Sequence, residues 1–363
     1  MHSIRNIKVK LYLLFIADIL NNNIDSRLEL SSIDWRGFYS FAQKQAIIAF
    51  VFEGIDKYGE ILKDTFPKDV LFQWIGDAEQ LKQHNKVAYK RSAAITEFFA
   101  KNGFKTCILK GQGNALMYEN PYSRAAGDID IWIDGTRKEI NDIVREYSNP
   151  DFEQSHHIDF PIYNDIEVEA HYTPAILLKP SNDRKFQRWC QEQKGIQMTN
   201  KVELPDGYGE INVPTADFNA VFQMAHMMEH FLTEGIGLRH FIDYYYVLRA
   251  NTNCTNIANL FKEFGLLRFA RGVMWIEKEC LGLKDEYLIV KPDEKRGRVI
   301  LNEMLEGGNF GQYDGRFESR NKGYLARGLT DGYRLLKLAK AFPSETMWKM
   351  LRKIENQRWK LKR

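Results

Sequence analysis

Long apolar runs, paired cysteines and a large surplus of charge of either sign are all missing from this sequence. Each absence excludes something. No stretch stays apolar for the ~20 residues that a membrane-spanning helix needs, so no span is expected. The four cysteines, Cys107, Cys190, Cys254 and Cys280, form no CxxC pair. That usage fits free thiols in a reducing compartment, and a cytoplasmic protein is expected. A net charge of +3 over 363 residues carries no overall polyelectrolyte signal. Internal repeats and low-complexity tracts are absent as well.

One segment near the start imitates a signal peptide. Arg5, Lys8 and Lys10 precede an apolar run over 11–17, but Asp18 interrupts it, and Asn21-Asn22-Asn23 stands where a small-residue cleavage site would be. The run reads as the first amphipathic helix of the fold.

What is present is ample core material: 44% of residues are hydrophobic and 13% aromatic. The length suggests two or three structural units, at ~100–200 residues each. The most informative stretch lies at 106–133. Thr106-Cys107-Ile108-Leu109 is a short apolar run with branched residues, the pattern of a buried strand. It stops at Lys110-Gly111-Gln112-Gly113-Asn114, where two glycines allow a tight turn and close backbone approach. Residues 114–119 have helical composition. A strand, a glycine turn and a helix start together offer unpaired backbone N–H groups to an anion. Residues 121–127 read as a loop, and Asp128-Ile129-Asp130-Ile131-Trp132-Ile133 as a second strand. Alternation puts Asp128 and Asp130 on one face. Two carboxylates so close repel each other unless a cation sits between them, and a hard divalent ion such as Mg²⁺ takes such oxygen ligands.

The Lys-Gly turn, the helix, Arg124 and the Gly127-Asp128-Ile129-Asp130-Ile131 strand resemble the nucleotidyltransferase superfamily that includes DNA polymerase beta. More narrowly, Leu109-Lys110-Gly111, Tyr118, Pro121, Arg124 and Gly127 to Asp130 resemble a bacterial family usually called uncharacterised nucleotidyltransferases. Lys110-Gly111 stands where many relatives of the superfamily have Gly-Ser. The resemblance is specific over about 105–175. It implies an α/β (α+β) fold, a small mixed nucleotidyltransferase sheet with flanking helices, embedded between helical regions. The expected division is 1–103 helical, 104–213 catalytic and 214–363 helical.

Residues 1–103 carry helical patterning. Asp34 is a plausible cap for a helix bearing Trp35 and Phe38, and a long segment from about Val70 to Asn102 stops at Gly103. After the Asp pair, 136–147 reads as a helix. Two strands follow, His156-His157-Ile158-Asp159-Phe160 and the run from Asp165 to Tyr172, with Asn164-Asp165 as the turn. In the second strand Glu167, Glu169 and His171 share one face. The superfamily's third acid belongs on such a strand. Glu169, in Val-Glu-Ala-His, matches the narrower family's acid-x-His pattern better than Glu167, which remains the alternative; His171 would orient Glu169 or a phosphate, or be an ordinary strand residue.

Asp183 to Gln193 has helical patterning, and 197–204 and 210–213 can pair around Pro205-Asp206-Gly207. From Pro214 the chain reads as helical. His226 and His230, at i and i+4, share a helix face, a spacing that can bind metal, but no HExxH motif accompanies them. They are kept as residues beside the nucleotide. Gly235-Ile236-Gly237 breaks that helix. In the next, Arg239 and Asp243 are spaced for an intrahelical ion pair, or face the cleft as the resemblance implies. Gly307-Gly308-Asn309-Phe310-Gly311 and the polar stretch to Lys322 read as a flexible loop or lid. Residues 334–363 hold ten Lys or Arg against two Glu, as expected for a solvated face of a terminal helix.

The resemblance implies transfer of a nucleoside monophosphate from a nucleoside triphosphate, ATP by superfamily habit, to an acceptor hydroxyl or phosphate that the sequence does not name. Asp128, Asp130 and Glu169 would hold two Mg²⁺ ions ~3.5–4 Å apart. Lys110, Gly111, Gln112, Gly113, Asn114 and Arg124 would hold the triphosphate and offset charge on the leaving pyrophosphate. Removing either Asp is expected to abolish activity and leave the fold intact. The alternatives are an inactive nucleotide-binding or protein-partner module and, third, a nucleic-acid enzyme using the basic C-terminus.

Overall fold

The structure is a computed structural model that describes residues 7–23, 30–62, 66–150, 152–251, 254–315 and 324–360. The N-terminal part is helical: α1 (Ile7–Asn21), α2 (Trp35–Lys44), α3 (Ile48–Lys57), the single turn α4 (Gly59–Leu62) and the 34-residue α5 (Lys68–Lys101). Asp34 caps α2, accepting from the Gly37 N–H. α5 ends at Asn102, and Gly103 takes φ +84°, the left-handed conformation a helix stop favours in glycine. The segment that imitates a signal peptide is α1, which buries Leu13, Phe15 and Ile16.

The sheet follows: β1 (Thr106–Ile108), the single turn α6 (Gln112–Ala115), β2 (Ile129–Ile133), α7 (Arg137–Tyr147), β3 (His157–Asp159) and β4 (Val168–His171). Strand order is β1-β2-β4-β3, with β2 and β4 parallel and both outer pairings antiparallel. Next come α8 (Pro180–Gln197) and a hairpin of β5 (Lys201–Glu203) and β6 (Glu210–Asn212). Helices complete the described chain: α9 (Ala216–Thr233), α10 (Leu238–Ala250), α11 (Cys254–Glu263), α12 (Leu267–Glu279), α13 (Glu294–Gly307), α14 (Tyr324–Ala339) and α15 (Pro343–Lys360). This is the mixed α/β arrangement expected, a small sheet flanked by helices. No helix among the described residues is long and apolar enough to cross a membrane.

Period-2 alternation divides β2 between two cores. Ile129, Ile131 and Ile133 pack with Tyr89, Ile95 and Phe99 of α5 and Ile140 and Val144 of α7. Trp132, on the Asp130 face, joins the other core and stacks on Phe218 of α9 at 5.8 Å. That second core is continuous from α1–α3 to α9–α13, so both helical regions share it.

Several local expectations change. The helix expected over 114–119 is one turn at 112–115, because Gly111 and Gly113 sit in the turn itself. The strand expected from Asp165 begins only at Val168. The basic C-terminal stretch is two helices, and part of its charge serves packing. Arg334 is buried against Glu303, and Arg352 donates to the carbonyls of Leu177 and Leu178. The segment expected as a loop or lid begins with a packed turn at Asn309–Gly311; residues 316–322 lie outside the described part.

Glu277 of α12 is fully buried, and neither carboxyl oxygen has a hydrogen-bond partner among the described residues. Burial pushes its pKa well above the usual carboxylate range. Folding then favours the neutral form. The group contributes full stability below its unfolded pKa and loses it as pH rises through the folded value. Glu277→Gln should therefore melt level with wild type near pH 4.5 and above it at pH 8, read by thermal denaturation. An equal effect at both pH values would contradict the burial argument.

Candidate active site

Leu109 extends the β1 pairing by donating to the Asp130 carbonyl at 2.9 Å, and the chain then turns at Gly111, φ +64°. Gly113 is required for a different reason. A Cβ there would lie 2.8 Å from Val213 Cγ1, so this glycine lets the turn press against the β5–β6 hairpin. The turn's side chains are also spoken for. Gln112 is buried and donates to Asn85 Oδ1 at 3.2 Å. Asn85, in α5, in turn donates to the carbonyls of Tyr122 and Arg124 at 3.0 and 2.7 Å. Asn114 Oδ1 accepts from Asn219 and Gln223 of α9, while its buried Nδ2 has no hydrogen-bond partner among the described residues. Lys110, Gly111 and Asn114 line a cavity with Asp128, Gln223, His226, Arg239, His240 and Phe310. Gln112 and Gly113 face away into packing.

Asp128 immediately precedes β2 and Asp130 lies within it. Parallel pairing sets Asp130 opposite Glu169 of β4. Glu167 lies one residue before β4, exposed, and supplies only its backbone carbonyl to the Ile129 N–H at 2.9 Å. Glu169 is therefore the acid whose strand position brings it to the Asp pair. His171 links them, its Nε2 lying 3.1 Å from Asp130 Oδ1 and 3.2 Å from Glu169 Oε2.

A second cation beside the carboxylates is Lys110. Its Nζ lies 3.1 Å from Asp130 Oδ2, 3.9 Å from Asp128 Oδ2 and 3.2 Å from His226 Nε2. An ammonium has only donors, so His226 Nε2 accepts there. His226 Nε2 also lies 2.9 Å from His230 Nε2, and His230 Nδ1 lies 2.5 Å from Glu234. The two histidines thus stand in a row leading away from Lys110.

These neighbours separate the two aspartates electrostatically. Burial opposes charge on Asp130, but Lys110 and His171 outweigh it and hold its carboxyl well below the usual range. Burial and the Asp130 charge push Asp128 up. Burial would lower His171, yet its bonds to Asp130 and Glu169 raise it to about 9. His226 is held well below its ordinary value by burial and by Lys110. The expectation that either Asp can be removed without touching the fold assumed an unneutralised pair. Asp130 is buried and ion-paired with Lys110, so its loss is expected to cost fold stability as well.

Of the two readings of Arg239 and Asp243, the cleft-facing one fits, since both line the cavity, and in place of the intrahelical pair stands a longer-range one. Asp243 receives Arg124 in a fork, Nε to Oδ1 and Nη2 to Oδ2 both at 2.8 Å, and the Tyr118 hydroxyl donates to Oδ1 at 2.7 Å. A bidentate guanidinium outcompetes an i,i+4 neighbour because two parallel bonds form at once. Arg239 instead donates to the Ala125 carbonyl at 3.1 Å and lies over the Phe310 ring, and burial lowers its pKa. Phe310 also packs on His230 and His240, at 5.0 and 5.1 Å.

Asn85, Phe310, His240, Gln223 and Asn219 carry no local sequence signal of a site, since distant elements bring them here. His156 and His157, read only as strand residues, gather beside His171 at centroid distances of 5.5 and 5.1 Å. Their signal was available: a histidine pair on one strand and an acid-x-His pattern on the next.

Asp128 and Asp130 at an inner strand of a small mixed sheet, with a glycine turn beside them and an acid on the parallel neighbour, are the arrangement the resemblance to nucleotidyltransferases implies. Residues 31–282, more than half of the chain, match the family model described as uncharacterised nucleotidyltransferase. The chain belongs to that family. Among solved structures it is similar to an antigenic nucleotidyltransferase-like protein from Paracoccidioides brasiliensis, at 12% identity and a TM-score of 0.34, over 57% of this chain and 94% of that one. A comparison with curated proteins found no match.

The buried Arg124–Asp243 fork predicts a large cost on breaking it, since the remaining charge is left unpaired in the interior. Asp243→Ala should lose about 3–5 kcal/mol of folding stability, measured by urea denaturation. Lys138→Ala, which removes an exposed i,i+4 pair with Asp142, should leave the midpoint unchanged. Similar small losses for both would mean the fork is not a structural anchor.

Proposed function

We propose that this protein transfers a nucleoside monophosphate from a nucleoside triphosphate, with ATP the first candidate, to an acceptor hydroxyl or phosphate, releasing pyrophosphate. The observation that carries this reading is the register of Asp130 with Glu169 next to Asp128 and Lys110, the two of these residues that line the cavity.

The donor set fits Mg²⁺. All three acids offer oxygen ligands, and against the cost of burial Asp130 and Glu169 draw a proton onto His171, the behaviour of a site short of positive charge. Asp128, Asp130 and Glu169 would hold the metal, which would polarise the reacting phosphate and lower the acceptor's pKa. The remaining work belongs to the chain. Lys110 and Gly111 orient the phosphates, and Lys110 offsets charge on the leaving pyrophosphate. Asn114 lines the cavity, and its Nδ2 is a buried donor with no partner among the described residues. Arg124 acts through Asp243, fixing the loop that presents Asp128. Positioning and charge stabilisation do most of the catalysis in such transfers.

A second reading is favoured by one feature. The cavity is small, about 30 Å³, with Phe310 as part of its wall. A module that binds partners through this family fold without turnover would keep such a narrow site.

Calorimetric titration with non-hydrolysable nucleoside triphosphates separates the two. Wild type should bind ATP analogue with Mg²⁺ and fail to bind it without. Asp128→Asn, the milder change because Asp128 is a third exposed and only 3.9 Å from Lys110, should keep the wild-type melting temperature and lose at least about 10-fold in affinity (about 1.4 kcal/mol). No binding of any nucleotide by wild type would sink the transferase reading.

A further inference from the structure

On the β3–β4 side of the Asp pair lies a group of nitrogen donors that nucleotidyl transfer does not use. His171 is the key to it. Its Nδ1 lies 3.3 Å from the Thr173 carbonyl, which fixes the proton on that nitrogen. Its Nε2 then faces two acceptors, Asp130 Oδ1 and Glu169 Oε2. A lone pair aimed at two carboxylates requires a cation between them, either a proton or a metal ion. A ring nitrogen tied to a backbone carbonyl while the other faces carboxylates is the usual outer arrangement of a metal-binding histidine.

His157 is 3% exposed. Its Nδ1 lies 3.3 Å from Glu169 Oε2, yet off the line a hydrogen bond needs, so it is buried without a hydrogen-bond partner among the described residues. His156 Nδ1 is in the same position. Glu169 Oε2 is thus 3.2 Å from one imidazole nitrogen and 3.3 Å from another. Donors about 2.0–2.1 Å from a tetrahedral ion stand about 3.3–3.4 Å apart. One donor atom from each of His156, His157 and His171 lies within 4.8 Å of the other two, a small closure away from common coordination.

We propose that His156, His157 and His171 form a site for one borderline divalent ion of the Zn²⁺ class, beside the Asp128–Asp130 pair. Imidazole nitrogen suits Zn²⁺ and Co²⁺, whereas Mg²⁺ takes oxygen and dehydrates reluctantly. Three nitrogens leave the fourth position of a tetrahedral site to water. The site uses none of the three acids of the nucleotidyl-transfer reading and stands without it.

The probe is Co²⁺, added to metal-stripped full-length protein in the presence of excess Mg²⁺ and read by its visible absorption and by calorimetry. Wild type should bind one Co²⁺ per chain with the intense bands of a four-coordinate site, and Zn²⁺ should displace it. His156→Ala and His157→Ala should each weaken binding by at least about 10-fold. Asp128→Asn should bind Co²⁺ as wild type does, even where it has lost Mg²⁺-dependent nucleotide binding, so failure of one proposal is distinguishable from failure of the other. Circular dichroism and melting of each variant separate loss of ligands from loss of fold. Suppression of Co²⁺ binding by Mg²⁺, or binding that survives both histidine substitutions in folded protein, would overturn the site and leave His171 occupied by a proton only.

Discussion

The Lys110 ammonium among the carboxylates at the head of β2 is the interaction on which the site depends. Asp128, Asp130 and Glu169 arrive from adjacent strands, and Asp130 is 3% exposed. Three acids so placed repel one another in a medium that screens poorly. The chain answers from both sides. Lys110 leaves the end of β1 and reaches Asp130, and His171 reaches the same carboxylate from β4. Both arrive from strands hydrogen-bonded to β2, so strand register sets the charge balance as well as the sheet. Such buried pairs contribute little net stability, because desolvation offsets the attraction. Their effect is to fix where the carboxylates stand.

Much of this was legible. The apolar run at 106–109, the two glycines and the alternation at 128–133 placed the turn and the acidic strand, because turn chemistry and period-2 patterning are local. Family resemblance added the expectation of a later acid-x-His. What the residues did not disclose is what each side chain would meet. Gly113 looked like a phosphate-approach glycine, but its neighbour is Val213, a hundred residues away. Arg239 and Asp243 satisfied the i,i+4 rule, but Arg124, more than a hundred residues earlier, offered a better fork. Helix periodicity cannot see a competitor from another element. Phe310 was hidden by its setting among glycines. Those glycines mark close packing instead: a Cβ on Gly237 would lie 2.9 Å from Asn309 Cα.

The three stretches distinguished in the sequence meet at the site, and each supplies something the others cannot. α5 holds the loop before Asp128 through Asn85, which binds the carbonyls of Tyr122 and Arg124. α10 holds the same loop through Asp243, which binds the side chains of Arg124 and Tyr118. The loop is thus clamped by backbone on one side and side chain on the other. That clamp sets where Asp128 stands relative to Asp130, since Asp128 precedes the strand and lacks its ladder. The continuous core joining α1–α3 to α9–α13 keeps the two clamping helices in fixed relation. A small sheet of short strands positions Asp130 and Glu169 by register but not Asp128, which lies outside it. Positioning the pair takes the helices on both sides, which is a physical reason for so small a sheet to be surrounded by so much helix.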